Sequence, residues 1–254
     1  MFGKIIGTGS YVPKEIVTNK DLAQYLDTDD TWIRERTGVK SRHISGDKET
    51  TADMAVKAAE KALENSGLLP DEIDLIIVSS VSSNLVLPST ACFVQKAINA
   101  KNAFCFDINV ACTGFITAYN ISQTFINTGL INTALIIGAE SLSKITDWSD
   151  RKTCILFGDG AGAVVIKKDE NAMFETVMFS NGKNGDALTM ENPFALRKTN
   201  LGKNHQGQFD ISFQDIQKTY INMDGGEIFK FAVKKVPECI EALLEKIHMD
   251  KDEI

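Results

Sequence analysis

Short apolar runs alternate along the chain with segments whose apolar residues recur at helical spacing. Apolar residues occupy one helical face over residues 51–66, and Gly67 follows where that helix would end, because glycine adopts the left-handed conformation that closes many helices. Continuous apolar strands separated by helices are typical of an α/β fold with a parallel sheet covered on both faces. The further predicted elements are a strand at 73–79, a helix at 87–98, a strand at 103–110, a helix at 112–128 and a strand at 134–139.

Two glycine-containing segments are predicted as strands beside turns. Residues 1–9 predict a short strand and a turn. Residues 153–157 and 163–167 predict two strands joined through the glycine-rich turn 158–162, as a tight hairpin. Because no helix follows these glycines, the turn fits neither a P-loop nor a dinucleotide-binding fingerprint.

The last part of the chain changes character. Residues 181–215 are polar and lack strong periodicity, so we expect a long excursion over the surface. Gly225 and Gly226 introduce an amphipathic helix over 227–247, which Pro237 is expected to kink or break.

An internal repeat predicts two related halves. Ala-Val-Lys begins both residues 55–73 and residues 232–254, and Asp-Glu-Ile ends both segments. In the first copy the final isoleucine leads into a buried strand, so the second copy predicts a strand where the chain ends. We therefore expect an N-terminal half, 1–170, and the start of an incomplete C-terminal half, 171–254.

Composition narrows the possible partners. The chain has 254 residues, of which 43% are hydrophobic, and a net charge of −7. An acidic chain without a clustered basic face is not expected to bind nucleic acid or an anionic membrane. Neither a secretory leader nor an apolar run of roughly 20 residues is apparent, so a cytoplasmic protein is predicted.

The cysteines suggest free thiols. The chain has five, an odd number without regular spacing or a CxxC pair, which predicts neither a disulfide framework nor a zinc site. Cys112 is the best nucleophile candidate, because it lies where an apolar strand stops and a helical pattern begins, and a helix N-terminus stabilises a thiolate. The alternative is a buried, inert core cysteine. The three histidines, His43, His205 and His248, are poor candidates for its base.

Five motifs along the chain carry a resemblance to one enzyme family. They are Asp-Thr-Trp-Ile-Arg-Glu-Arg-Thr-Gly-Val at 30–39, Ala-Cys-Thr-Gly-Phe at 111–115, Asp-Arg at 150–151, Phe-Gly-Asp-Gly-Ala-Gly-Ala at 157–163 and Met-Asp-Gly-Gly-Glu-Ile-Phe-Lys at 223–230. With these motifs the chain resembles 3-oxoacyl-[acyl-carrier-protein] synthases of the third class, the initiating condensing enzymes of type II fatty-acid synthesis, within the thiolase-fold superfamily. The resemblance implies two similar halves in alternating layers of helices and sheets, and a homodimer.

The resemblance implies a two-step reaction. Cys112 would take an acyl group from acetyl-CoA or a short acyl-CoA, and a decarboxylative condensation with malonyl-acyl carrier protein would follow. In the family a histidine and an asparagine assist the second step, and the sequence has neither a Pro-His-Gln-Ala-Asn-like nor an Asn-x-x-Asn-Thr-like motif. The chain is therefore expected to carry the acyl-transfer half of the site. A silent or merely acyl-binding fragment, and another thiolase-fold acyltransferase with a different acceptor, stay open.

The resemblance also implies a binding site for coenzyme A, as substrate and not as a permanently bound cofactor. Trp32 and Arg151 would hold the adenine between them, Arg36 would meet phosphates, and Thr28 would add a hydroxyl contact. Lys152 stands where the family often has a small residue. The alternative is a half-buried tryptophan beside solvated arginines.

Three further residues are assigned by the same resemblance. Leu87 would border the acyl pocket, where leucine would admit a starter slightly longer than acetyl, and Phe157 belongs to the same pocket. Lys230 matches a position that docks the acidic carrier protein. The alternatives are ordinary core packing for Leu87 and a solvated lysine face for Lys230. No metal site is expected.

Overall fold

The computed structural model describes residues 1–192, 199–203, 206–207, 209–213 and 219–253. The strands are β1 Phe2–Tyr11, β2 Glu15–Thr18, β3 Ser41–Ile44, β4 Leu75–Ser79, β5 Phe104–Ile108, β6 Thr133–Ser141, β7 Asp159–Asp169, β8 Leu188–Thr189, β9 Thr199–Lys203, β10 Phe209–Phe213 and β11 Asn222–Met223. The helices are α1 Asn19–Leu22, α2 Asp30–Thr37, α3 Thr51–Ser66, α4 Thr90–Ile98, α5 Gly114–Asn127, α6 Arg151–Cys154 and α7 Gly225–Ile247.

A five-stranded sheet with the order β1-β7-β6-β4-β5 forms the centre of the described structure. β4 pairs in parallel with both β5 and β6, as the apolar runs predict. β7 is antiparallel to both β6 and β1. The α/β fold is therefore built on a mixed sheet.

Both faces of this sheet are covered. On one face α3 and α4 pack against the strands, and α3 buries an alanine face made of Ala55, Ala58, Ala59 and Ala62. On the other face α5 packs through Ala118 and Ile126. Small side chains on α3 let its backbone come close to β1, and this contact sets the thickness of that layer.

The glycine-rich segments are strands and not turns. Residues 158–162 were expected to form a hairpin turn after a strand, but residues 151–154 form α6, and β7 is one strand from Asp159. In the same way β1 continues through Gly7 and Gly9. A Cβ at Gly9 would lie 2.2 Å from the carbonyl oxygen of Ala58, so this glycine permits close packing against α3. Glycine as a packing requirement was mistaken for glycine as a turn signal.

The C-terminal part confirms the predicted helix. α7 continues through Pro237 without a break in the helix assignment. Its apolar stripe is exposed in this chain, with Phe229 and Val233 among the exposed side chains. Two-stranded ribbons pair β8 with β11 and β9 with β10 within the polar region. His205 and Ile254 lie outside the described residues, and the division of the chain at residue 170 stays a prediction.

Across the described ranges, no helix is long and apolar enough to cross a membrane.

The close approach of β1 to α3 is tested by two matched substitutions in neighbouring strands. Gly9→Ala is expected to lower the free energy of unfolding by about 3 kcal/mol, because overpacking against a backbone cannot be relieved by a rotamer change. Gly162→Ala in β7 is the control, since its Cβ would meet nothing within 4 Å. Urea denaturation of both variants measures the difference. Equal stability of the two variants would contradict the packing argument.

Candidate active site

Cys112 lies in a tight turn between the sheet and a helix. β5 ends at Ile108, residues Ala111–Thr113 form a single 3-10 turn, and α5 begins at Gly114. Cys112 therefore precedes α5 by two residues, whereas the pattern predicts a helix from Cys112 itself. Ala111 has a φ of 49°, a left-handed conformation that costs a non-glycine residue free energy. Backbone strain of this kind is concentrated at functional sites.

Cys112 is exposed, which distinguishes it from Cys154, a fully buried cysteine. The interpretation of Cys112 as a buried core thiol is wrong for this chain. No described side chain caps the N-terminus of α5, which leaves its first amides without that kind of partner. An accessible sulfur beside such amides can attack a carbonyl carbon while the amides stabilise the oxygen.

Gly114 fixes the turn against the sheet. A Cβ at this position would lie 1.8 Å from Oγ and 2.9 Å from Cβ of Ser79, the last residue of β4. Only glycine lets α5 begin so close to the end of the central parallel strand. The position of Cys112 thus follows from the contact between Gly114 and Ser79.

Asp107 aligns the neighbouring helix. Its carboxylate accepts hydrogen bonds from the amides of Thr90, at 2.6 Å, and Ala91, at 2.8 Å, at the N-terminus of α4. The segment that carries Leu87 enters α4 at this point. Leu87 is 82% exposed, so the alternative of core packing for this residue is wrong within one chain. Phe157 is half-buried between α6 and β7.

Trp32, Arg36 and Arg151 lie together, as the resemblance implies. The Cζ atom of Arg36 is 4.4 Å from the centroid of the Trp32 ring, and that of Arg151 is 4.8 Å from it. Asp29 caps α2 by accepting a hydrogen bond from the amide of Trp32 at 2.8 Å. Arg151 donates to the carbonyl oxygen of Asp27, and its guanidinium is 3.7 Å from the Asp27 carboxylate.

A small apolar cluster brings these side chains together from distant parts of the sequence. Leu22 and Ile33, from α1 and α2, pack with Cys154 and Ile155, at the end of α6, and Trp32 lies at its edge. Buried Arg42 reinforces this packing through three hydrogen bonds. Its guanidinium donates to the carbonyl oxygens of Val17 and Ile155 and to Oδ1 of Asn19.

Thr28 has an unusual hydroxyl. Its Oγ1 is one of two buried side-chain polar atoms that lack a hydrogen-bond partner among the described residues, the other being Nε of Arg42. A buried hydroxyl without a partner costs free energy, and a ligand atom can supply the missing bond. Thr28 directly follows Asp27, the residue that Arg151 contacts.

Lys230 lies on a different element. Its ammonium donates to the Glu227 carboxylate at 2.8 Å, and this hydrogen bond raises the pKa of the exposed Lys230. α7 contacts the segment that includes Glu175 and Phe179. No contact described for the chain joins Lys230 to Trp32, Arg151 or Cys112, and the alternative of a solvated lysine face stays open.

Three buried or partly buried acidic residues were missed by the sequence analysis, which gave no weight to acidic residues at strand ends. Asp107 is one of them. Asp159 accepts hydrogen bonds from the amides and hydroxyls of Ser45 and Ser143, at 2.6 to 2.9 Å. Glu140 accepts hydrogen bonds from the amide of Val81 and from the hydroxyls of Ser80 and Ser82 on either side of it. Burial raises the pKa of the Glu140 carboxyl. These carboxylates hold the loops at one end of the strands.

The exposure of Cys112 predicts its order of alkylation. In native buffer, iodoacetamide is expected to modify Cys112 at least about tenfold faster than Cys154, because reaction needs an accessible thiolate. Peptide mass spectrometry over time gives both rates, and Cys112→Ser provides the control without the exposed site. Equal rates for the two cysteines in the folded chain would contradict this geometry.

Comparison with known proteins supports one family. A sequence model described as 3-Oxoacyl-[acyl-carrier-protein (ACP)] synthase III matches residues 106–182, which include Cys112. A protein of Clostridium acetobutylicum named beta-ketoacyl-[acyl-carrier-protein] synthase III is 46% identical over 99% of this chain and 74% of its own length. A Clostridium perfringens protein of the same name is 47% identical, with the same coverage of both chains.

Solved structures show the same similarity. The 3-oxoacyl-[acyl-carrier-protein] synthase III of Aquifex aeolicus is 41% identical with a TM-score of 0.78, over 99% of this chain and 74% of that one. The enzyme of Thermus thermophilus is 33% identical with a TM-score of 0.84, over 98% and 74%. The thiolase-like α/β fold is thus confirmed. The chain spans about three quarters of the length of these relatives, and it belongs to the 3-oxoacyl-[acyl-carrier-protein] synthase III family of condensing acyltransferases.

Proposed function

We propose that Cys112 accepts an acyl group from acetyl-CoA or another short acyl-CoA, and that this group then condenses with malonyl-acyl carrier protein, with loss of carbon dioxide, to give 3-oxoacyl-acyl carrier protein. The observation that carries the proposal is the exposed thiol of Cys112 in the strained turn before α5. The names of the relatives support the acyl carrier protein as the acceptor.

The first step is a thioester exchange. The Cys112 thiolate attacks the carbonyl carbon of the acyl-CoA, and the oxyanion that forms is stabilised by amide donors of the kind at the start of α5. The bond to the CoA sulfur then breaks, and the acyl group stays on Cys112. One thioester replaces another of similar energy, so the covalent intermediate divides the reaction into two easier steps.

The nucleotide part of CoA is placed at Trp32. Arg151 lies against the indole at 4.8 Å, which leaves no room for a base between the two groups. An adenine inserted there needs about 7 Å between the flanking planes, so binding requires Arg151 to swing away from the ring. Arg36, at 4.4 Å from the same ring, remains to meet the phosphates, and the Thr28 hydroxyl gains a partner.

Leu87, Phe157 and Lys230 complete the proposed contacts. Leu87 and Phe157 would border the acyl group, and the exposed Lys230 would attract the acidic carrier protein. The pKa of Lys230 is raised by Glu227, so its ammonium is charged at neutral pH. The exposed ion pair between Lys230 and Glu227 is weak, so it leaves the charge of Lys230 available to attract the carrier protein.

A cytoplasmic homodimer forms part of the proposal. β5 is one of the two edge strands of the described five-stranded sheet, and Phe104 at its start is 44% exposed. An edge strand presents unpaired backbone groups that a second copy can satisfy. Leu87, on the exposed segment before α4, would then lie beside a partner surface instead of solvent.

The condensation step needs two groups in addition to Cys112. The resemblance assigns it to a histidine and an asparagine whose motifs do not occur in these 254 residues. The acyl-transfer step is the one that Cys112 itself carries. An acyl-binding role without condensation, or transfer to another acceptor, is therefore the second candidate function.

Acylation is tested with radiolabelled acetyl-CoA. We expect label on Cys112 and at least about a hundredfold less label on Cys112→Ser, because the nucleophile is absent. Release of the label as a 3-oxoacyl product on addition of malonyl-acyl carrier protein would support the condensation step. Stable label that the carrier protein does not remove would favour the acyl-binding alternative. Equal labelling of the variant would contradict the role of Cys112.

The nucleotide contact is tested by Arg151→Ala. Loss of stacking and charge is expected to weaken CoA binding about tenfold in isothermal titration calorimetry. Lys152→Ala is the matched control, since it removes a charge from the adjacent exposed residue, and we expect it to change affinity less than about threefold. Equal weakening by both variants would indicate general electrostatic attraction and contradict the proposed contact.

A further inference from the structure

A pair of neighbouring cysteine thiols lies outside the proposed active site. Cys92 belongs to the first turn of α4 and Cys105 to β5, yet their Sγ atoms are 3.5 Å apart. Both side chains are partly exposed. Of the other three described cysteines, Cys154 is fully buried, Cys112 lies in the turn after β5, and Cys239 lies on α7.

The pair is held in place by the surrounding structure. Asp107, two residues after Cys105, accepts hydrogen bonds from two amides at the start of α4 and so ties the helix to the strand. Gln95 reaches the carbonyl oxygen of Ala103 at 2.6 Å from the same helix. The sulfurs therefore face each other across a fixed contact between α4 and β5.

A disulfide fits this contact with little movement. An S–S bond of about 2.05 Å requires the sulfurs to come about 1.5 Å closer than the observed 3.5 Å, which side-chain rotation can supply. The bond would close a short loop that already turns back on itself between α4 and β5.

The two thiols differ in their surroundings. Burial and the neighbouring Cys92 sulfur raise the pKa of Cys105 to about 12, so Cys105 is the poorer first nucleophile. The Ser89 hydroxyl donates a hydrogen bond to the Cys92 sulfur at 3.1 Å. In a mixed disulfide at Cys92, Cys105 still faces the Cys92 sulfur across this contact, so Cys105 is the resolving thiol.

We propose that Cys92 and Cys105 form a reversible disulfide with a low-molecular-weight disulfide as the oxidant, and that this dithiol is a modification site separate from Cys112. The Cys92 thiolate attacks one sulfur of the oxidant, whose S–S bond breaks and releases one small thiolate. Cys105 then attacks the Cys92 sulfur of the mixed disulfide, and the second small thiolate leaves. The two protons of the protein thiols end on the two released thiols, so two electrons pass from the protein to the oxidant.

The site joins two segments near the proposed active site. α4 follows the segment that carries Leu87, and β5 leads into the Cys112 turn. The proposal does not depend on the acyl-transfer chemistry, since its readout is the bond itself.

The test uses oxidised glutathione as the oxidant. No lysine or arginine lies between Cys105 and Cys112, so trypsin leaves both cysteines in one peptide. The Cys112→Ser variant is therefore used, so that a link to this peptide can only involve Cys105. After oxidation, alkylation and digestion, we expect peptide 62–96 linked to peptide 102–144, and a loss of mass equal to two hydrogen atoms in the intact chain. Dithiothreitol is expected to reverse the change.

Single substitutions in that background test the order of attack. Cys105→Ser is expected to accumulate a glutathione adduct on Cys92, because the resolving thiol is absent, whereas Cys92→Ser is expected to show little adduct on Cys105. Thermal melting of each variant confirms that the chain is folded before oxidation. Any of three outcomes would overturn the proposal. They are independent adducts on both cysteines without the linked peptide, a linkage that involves Cys154 or Cys239, and no reaction at either residue.

Discussion

The position of the proposed nucleophile depends on the contact between the end of β4 and the start of α5. β4 is buried along its whole length between the parallel strands β5 and β6, so the core of the sheet fixes the position of Ser79. Gly114 approaches Ser79 more closely than any side chain allows. The turn that holds Cys112 is therefore confined between β5 and α5, and the left-handed Ala111 follows from that confinement.

Carboxylates at the ends of strands organise the loops around this centre. Asp107 binds the first amides of α4, Glu140 binds the residues that follow β4, and Asp159 joins the loops at Ser45 and Ser143. Each carboxylate satisfies several donors at once, which gives a loop a definite conformation without a regular hydrogen-bond ladder. These carboxylate side chains thus fix the conformation of loops that border a mainly apolar core.

Local signals predicted the elements whose ends are encoded in nearby residues. α3 has the predicted bounds, because Thr50 and Asp53 form a capping box at one end and Gly67 is left-handed at the other. No strand forms at 153–157, because residues 151–154 are the helix α6, and its packing depends on α1 and α2, more than 100 residues earlier in the chain. The grouping of Trp32, Arg36 and Arg151 came from the resemblance, since spacing cannot show that distant segments meet. The unpartnered Thr28 hydroxyl and the adjacent sulfurs of Cys92 and Cys105 emerge only from the three-dimensional structure.

The central claim is that Cys112 receives the acyl group while CoA lies across Trp32 and Arg151. A crystal structure of the protein after brief exposure to acetyl-CoA tests both parts in one measurement. We expect continuous density from Cys112 Sγ to an acetyl group, and an adenine stacked on Trp32 with Arg151 moved off the indole from its present 4.8 Å. An acetyl group on another residue, or CoA bound away from Trp32 with Cys112 unmodified, would contradict it.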